Sequence, residues 1–187
     1  MPPGTVIFLN GTSSSGKTSI SLELQRTLNE PYLHISVDKF LYMLPEDYLN
    51  GSKPAEISKD AMLNVIKGFH QALPALVAAG NNLIVDHVLE ERQWLDECVT
   101  LLADYKVMFV SVNCSLEELQ RRERERGDRN IGLANYQFNL VHAHGIYDLE
   151  INTEFNSTYE CAQQIKQYLH NNFDLYAFKV LKQKLSN

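Results

Sequence analysis

The stretch that most constrains this chain is VIFLNGTSSSGKTSISLEL, residues 6–24. The β-branched and aromatic run from Thr5 to Asn10 reads as a buried strand, and Ile20, Leu22, Leu24 and Leu28 behind Lys17 suit a helix. Between them Gly11 to Thr18, GTSSSGKT, satisfies G-x-x-x-x-G-K-[ST] in full, and a strand before and a helix after are the context that gives this pattern meaning. Gly11 and Gly16 permit backbone angles that turn the N–H groups of Thr12, Ser13, Ser14, Ser15 and their neighbours inward, where they ring a phosphate at the positive end of the helix. Lys17 adds a full charge for the β- and γ-phosphates, and the Thr18 hydroxyl suits Mg²⁺, which takes few protein ligands. A Ser/Gly turn with a solvated lysine is the plainer alternative; the flanking strand and helix weigh against it.

Further strands are predicted at residues 33–37, at NLIVDHV ending near Asp86, at KVMFVSVNC and at DLEIN, with helices at about 91–102, from Ser115 to near Gly127, and at 157–171. Ser58 is a candidate cap for a long helix reaching about Ala79, kinked at Pro74 and stopped at Gly80, and residues 44–58 read as an excursion or lid. Ser115 with Glu118 forms a capping-box pattern. Strands alternating with helices imply βαβ units, hence a five-stranded parallel sheet with helices on both faces.

Ligands of open α/β sheets bind beyond the carboxyl ends of the strands, which singles out Asp38 and Asp86. A carboxylate beside a γ-phosphate can accept a hydroxyl proton, the requirement for phosphoryl transfer to an alcohol. Asp38 is the candidate base, and its alternative is a cap for the helix KFLYML. Asp86 stands where it could hold Mg²⁺ with Thr18, or be a strand-end turn acid. In LEELQRRERERGDR, Arg122, Arg126 and Arg129 fall at i, i+4 and i+7 on one helical face; like charges so stacked repel unless an anion sits between them. Arg126 and Arg129 are expected to face ATP, with Arg121 and Arg124 solvated. His142 and His144 lack a metal-ligand partner set and read as neutral or cavity-lining.

Composition sets the outer bounds. At 187 residues and 44% hydrophobic content one compact domain is expected, with residues 172–187 as an extension. The formal net charge of −6 argues against a broad nucleic-acid footprint and for a small-molecule partner. Cys98, Cys114 and Cys161 are widely spaced and read as buried thiols. No signal segment or membrane-length apolar run is visible, so a soluble, cytoplasmic protein is expected.

Together these residues resemble the chloramphenicol phosphotransferases over about residues 4–170. The likeness rests on the phosphate loop, Val37-Asp38 with Pro45 seven residues beyond Asp38, Val85-Asp86, the segment from Arg122 to Arg129, Val141-His142 and Tyr147-Asp148. It implies a three-layer P-loop kinase fold with a short lid. It also implies ATP with Mg²⁺, Asp38 as the base, and Arg122, Arg126 and Arg129 as nucleotide and transition-state contacts. Family members often carry Asp-Asp where this chain has Asp86-His87. The expected activity is O-phosphotransfer to a small-molecule hydroxyl, with chloramphenicol or a related antibiotic as one acceptor. A nucleoside or polynucleotide kinase is one alternative, and a nucleotide-dependent switch without an acceptor is the other.

Overall fold

In the computed structural model, which describes residues 2–126, 131–171 and 174–185, the phosphate-loop strand lies at the centre of a parallel sheet. The strands are β1 (Thr5–Asn10), β2 (Tyr32–Ser36), β3 (Asn82–His87), β4 (Lys106–Asn113) and β5 (Leu149–Asn152), in the order β2-β3-β1-β4-β5. All pairings are parallel, and in their register Phe8 of β1 lies between Val85 and Phe109. A strand covered on both faces must be apolar throughout, which is why β1 and β3 read as runs without alternation.

The period-2 alternation of side chains divides the core into two layers. Val6, Phe8, Val85 and Phe109 point to one face, where α4 (Ala55–Ala78), which follows the short α3 (Glu46–Leu49), contributes Phe69, Leu73 and Val77, and α5 (Arg92–Leu102) contributes Leu95, Val99 and Leu102. Ile7, Leu9, Ile84 and Met108 point to the other face, against Ile20 and Leu24 of α1 (Lys17–Thr27) and Ala162 and Ile165 of α8 (Thr158–Asn171). The expected three layers are therefore present.

One local expectation is corrected. Ser58 does not cap the long helix, which begins at Ala55 behind Pro54; proline presets the backbone angle for a helix start, and Glu56 meets the positive end of the helix dipole. Asp38 is not a cap either. It lies inside α2 (Val37–Leu41), whose N-cap is Ser36, with the Ser36 hydroxyl accepting the Lys39 N–H at 3.3 Å. Finally, the C-terminal tail holds α9 (Ala177–Leu185), whose Phe178 and Leu181 are each 2% exposed. The Phe178 ring meets Phe8 at 5.6 Å and Phe109 at 5.0 Å, so this segment completes the core beneath the central strands.

The sheet register sets the site. Ser36 pairs with Asp86, and Leu9 and Asn10 pair with Asp86 and His87, so the carboxyl ends of β2, β3 and β1 share one rim. That rim carries the start of α2, Asp86 and the phosphate loop side by side.

Candidate active site

The loop has the backbone its sequence requires. Gly16 (φ 95) and Ser14 (φ 65) are left-handed, a conformation that turns consecutive N–H groups to one side. A Cβ on Gly11 would stand 2.6 Å from the Val112 carbonyl oxygen, so only glycine fits beneath the loop. The Ser14 and Ser15 hydroxyls are buried without a hydrogen-bond partner among the described residues, as suits a cradle built for an external acceptor. Lys17 is 6% exposed and its Nζ donates to the carbonyls of Gly11 (2.8 Å) and Thr12 (2.9 Å), which holds the ammonium over the loop.

Thr18 Oγ1 donates to Asp86 Oδ2 at 2.7 Å. Adjacent oxygen ligands in an octahedral Mg²⁺ shell with bonds of about 2.1 Å lie about 3 Å apart, so this hydroxyl–carboxylate pair fits a magnesium ion by donor type and spacing. Burial pushes the Asp86 carboxyl up, but His34, Lys17 and Thr18 outweigh it and hold the group below its ordinary range. His34 Nε2 lies 3.7 Å from Asp86 Oδ2. The Lys39 ammonium, which can only donate, sits 3.2 Å from His34 Nδ1, leaving the ring proton on Nε2, towards Asp86.

A cavity of about 760 Å³ joins these groups. Lys17, Thr18, Asp86, Arg122 and Arg126 line it together with Asp38 and Leu41 of α2, Met62 and Ile66 of α4, and Trp94 of α5. Arg122 and Arg126 belong to α6 (Leu116–Arg126). Arg122 pairs with Glu118 at 2.7 Å and clasps Thr153 through both Nη atoms, while Thr153 Oγ1 donates to the Ser15 carbonyl at 2.8 Å. The repulsion expected along the arginine face is thus relieved at Arg122 by Glu118 as well as by any anion. Arg121 pairs with Glu118 and Glu125, and Arg124 is exposed, as expected of solvated positions. Arg129 lies outside the described residues.

His142 and His144 do not line the cavity. Burial lowers both to about 4, so both are neutral; His142 meets Tyr147 Oη at 2.7 Å, and His144 stacks on Phe109. A different histidine pair reaches the site. His87 lines the cavity, stacks on Trp94 and bonds His70 Nε2 through its own Nε2 at 2.9 Å. The Val88 N–H donates to His87 Nδ1, so the ring proton is on Nε2 and points at His70, whose Nδ1–H then meets Glu97 at 2.8 Å. Cys98 comes within 4.8 Å of both rings, yet all four ring nitrogens are already engaged, and the cluster is complete without a metal.

Sequence reasoning missed Gln137, at the end of the short helix α7 (Leu133–Gln137). Its Oε1 accepts the Ser13 N–H at 2.9 Å and its Nε2 donates to Glu90 Oε2 at 2.7 Å. Glu123, 2% exposed, accepts the N–H groups of Gly132 and Ala134 and so fixes the start of α7 against α6. One five-residue helix thus ties the phosphate loop to the segment after β3. A glutamine in an unpatterned stretch offers no signal of this kind.

The family model described as "Chloramphenicol phosphotransferase-like protein" matches residues 4–170. The chain belongs to this family. A relative named "Putative O-phosphotransferase" from Mycobacterium tuberculosis (strain ATCC 25618 / H37Rv) is 31% identical over 186 residues, covering 89% of this chain and 83% of its own. An adenylyl-sulfate kinase of Staphylococcus haemolyticus is 26% identical over 176 residues, covering 89% of this chain and 84% of its own. Among solved structures, the Mycobacterium tuberculosis APS kinase CysC in complex with AMPPNP and APS superposes with a TM-score of 0.69 at 17% identity, over 91% of this chain and all of that one. That likeness establishes the P-loop kinase fold. As a member of the chloramphenicol phosphotransferase-like family, the chain is an enzyme of the phosphotransferase class.

Proposed function

We propose that this family member transfers the γ-phosphoryl group of ATP to a hydroxyl of a small molecule. The observation that carries the reading is the shared cavity, in which the phosphate loop and Lys17 face the same space as Asp38. The loop N–H groups and Lys17 bind the phosphates, and Arg122 and Arg126 supply positive charge beside them. Thr18 and Asp86 would hold Mg²⁺, which would supply positive charge against that developing on the transferring group. Asp38 takes the acceptor's proton as its oxygen bonds to phosphorus and the bond from the γ-phosphorus to the β-phosphate oxygen breaks, so that ADP leaves. Ser36, and not Asp38, caps α2.

The test is Asp38→Asn, which preserves shape and removes the basic site. The variant should bind Mg-ATP and melt like the parent while transferring phosphate at least ~100-fold more slowly. Near-normal transfer by a well-folded variant removes Asp38 from the mechanism. A nucleotide-dependent switch is separated by ADP release, which stays slow whatever hydroxyl compound is added; chloramphenicol belongs in the acceptor panel because of the family's name.

A further inference from the structure

Resting on the assignment of Thr18 and Asp86 to Mg²⁺, we infer that His34 is the positioning residue of that site: its Nε2–H is the second donor that orients the Asp86 carboxylate, and Lys39 of α2 keeps the proton on that nitrogen. His34 stands in β2, the edge strand beside β3. In the parallel register it pairs with Ile84, and Ser36 pairs with Asp86. His34 therefore shares the face of Ile84, towards α1, and stands one pleat before Asp86. Its side chain is only 3% exposed, in a layer otherwise built from Ile7, Leu9, Ile20 and Ile84. An imidazole in such a place loses its hydration at both nitrogens, and each needs a partner in return.

One nitrogen has its partner. The Lys39 ammonium reaches Nδ1 at 3.2 Å and also donates to the His34 carbonyl at 2.9 Å, so Nδ1 is the acceptor and Nε2 carries the proton. Nε2 is buried and has no hydrogen-bond partner among the described residues. It lies 3.7 Å from Asp86 Oδ2, about 0.5 Å beyond the usual N–H···O limit. Asp86 in turn is held from the other side, by the Thr18 hydroxyl at 2.7 Å. A carboxylate with one donor still turns about its last torsion, which is broad for aspartate. A donor from β2 removes that freedom, as groups behind metal ligands do. The series Lys39, His34, Asp86, Thr18 thus crosses the rim from α2 to α1 and joins the helix carrying Asp38 to the residues assigned to magnesium.

Titration calorimetry of AMPPNP, with saturating Mg²⁺ and again with EDTA, reads this role with no acceptor present. It therefore stands or falls apart from phosphoryl transfer. His34→Phe keeps a ring and loses both nitrogens; its Kd with Mg²⁺ should weaken at least ~10-fold while its Kd in EDTA stays within about twofold of wild type. His34→Gln returns an N–H donor at similar reach and should recover the Mg²⁺ value to within about threefold of wild type. Lys39→Met, which frees the imidazole proton to move to Nδ1, should fall between wild type and His34→Phe. A histidine that only fills space would lower the melting temperature in the Phe and Gln variants alike and leave the ratio of the two Kd values unchanged, and that result overturns the inference. Asp86→Asn separates the two assignments. If it weakens binding with Mg²⁺ and His34→Phe does not, His34 loses its role and Asp86 keeps its own; if it has no effect, both fall. Should His34→Phe not fold, ¹⁵N spectra of the wild-type imidazole decide, since a neutral ring protonated on Nδ1 overturns the inference and one protonated on Nε2 supports it.

Discussion

Replacing Asp148 with asparagine should unfold this protein early without touching its chemistry. Asp148 is 7% exposed, immediately before β5, and its carboxylate accepts three backbone N–H groups: Phe109 at 2.8 Å through Oδ2, and Tyr176 at 2.8 Å and Ala177 at 3.0 Å through Oδ1. It thereby pins the start of α9 to the central sheet. Asparagine offers one oxygen. Turned toward Tyr176 and Ala177, it sets its NH₂ against the buried Phe109 N–H, and a buried donor without a partner costs about 1–3 kcal/mol. The other two bonds fall from charge-assisted to neutral, losing about 1 kcal/mol each. The total is about 3–5 kcal/mol, and at about 2–4 °C per kcal/mol for a chain of this size the melting temperature should fall by roughly 6–20 °C. Thermal and urea denaturation measure it, with AMPPNP affinity as the control, since Asp148 does not line the cavity. A melting temperature within about 2 °C of wild type would show that the three bonds contribute far less than their geometry implies.

Other expectations concern the site and its pH response. Lys17→Ala should abolish most of the ATP-induced stabilisation, which for wild type at 100-fold excess over Kd is about 2.7 kcal/mol by thermal shift. Arg126→Ala, on the cavity, should lower kcat by roughly 100-fold in a transfer assay, whereas Arg124→Ala, exposed and away from it, should leave kcat within about threefold; equal losses would contradict the face assignment. His142 and His144 stay neutral in the fold down to about pH 4, against an ordinary value of 6.5. Between these values the unfolded chain binds the extra protons, so stability present above pH 6.5 is lost as pH falls toward 4. His144→Phe, which keeps a ring against Phe109, should flatten that acid limb in denaturation measured from pH 7 to 4.5.

The parts of the fold legible in the sequence are those whose cause is local. The phosphate loop is specified by Gly11, Gly16, Lys17 and Thr18 within eight residues, and the strand carrying Asp86 by an apolar run ending in a charge. Strand order was not legible, because the pairing of Ser36 with Asp86 joins residues 50 apart and depends on twist and crossover rather than on either segment. Local rules also misled where two of them competed. Ser58 is a good cap residue, but Pro54 lies earlier in the chain and starts the helix first. The apolar positions of α9, Phe178 and Leu181, were present in the sequence, yet nothing in the tail reveals that Asp148 will anchor it. Among site residues, Lys17, Thr18, Asp38, Asp86, Arg122 and Arg126 line one cavity, while Trp94, Glu90 and Gln137 join it only through tertiary contact.

The Gln137 bridge has a thermodynamic corollary. One side-chain amide holds a phosphate-loop N–H at one end and a carboxylate facing the acceptor space at the other. A phosphate that drew the Ser13 N–H away would loosen the amide's grip on Glu90, and an acceptor that captured Glu90 would act in reverse on the loop. Linkage makes the two effects equal in free energy. Acceptor affinity measured with and without nucleotide, in wild type and in Gln137→Ala, would express that coupling as a single number, the factor by which nucleotide changes acceptor affinity and acceptor changes nucleotide affinity. Order of substrate binding in this enzyme would then be a property of one glutamine rather than of a moving domain.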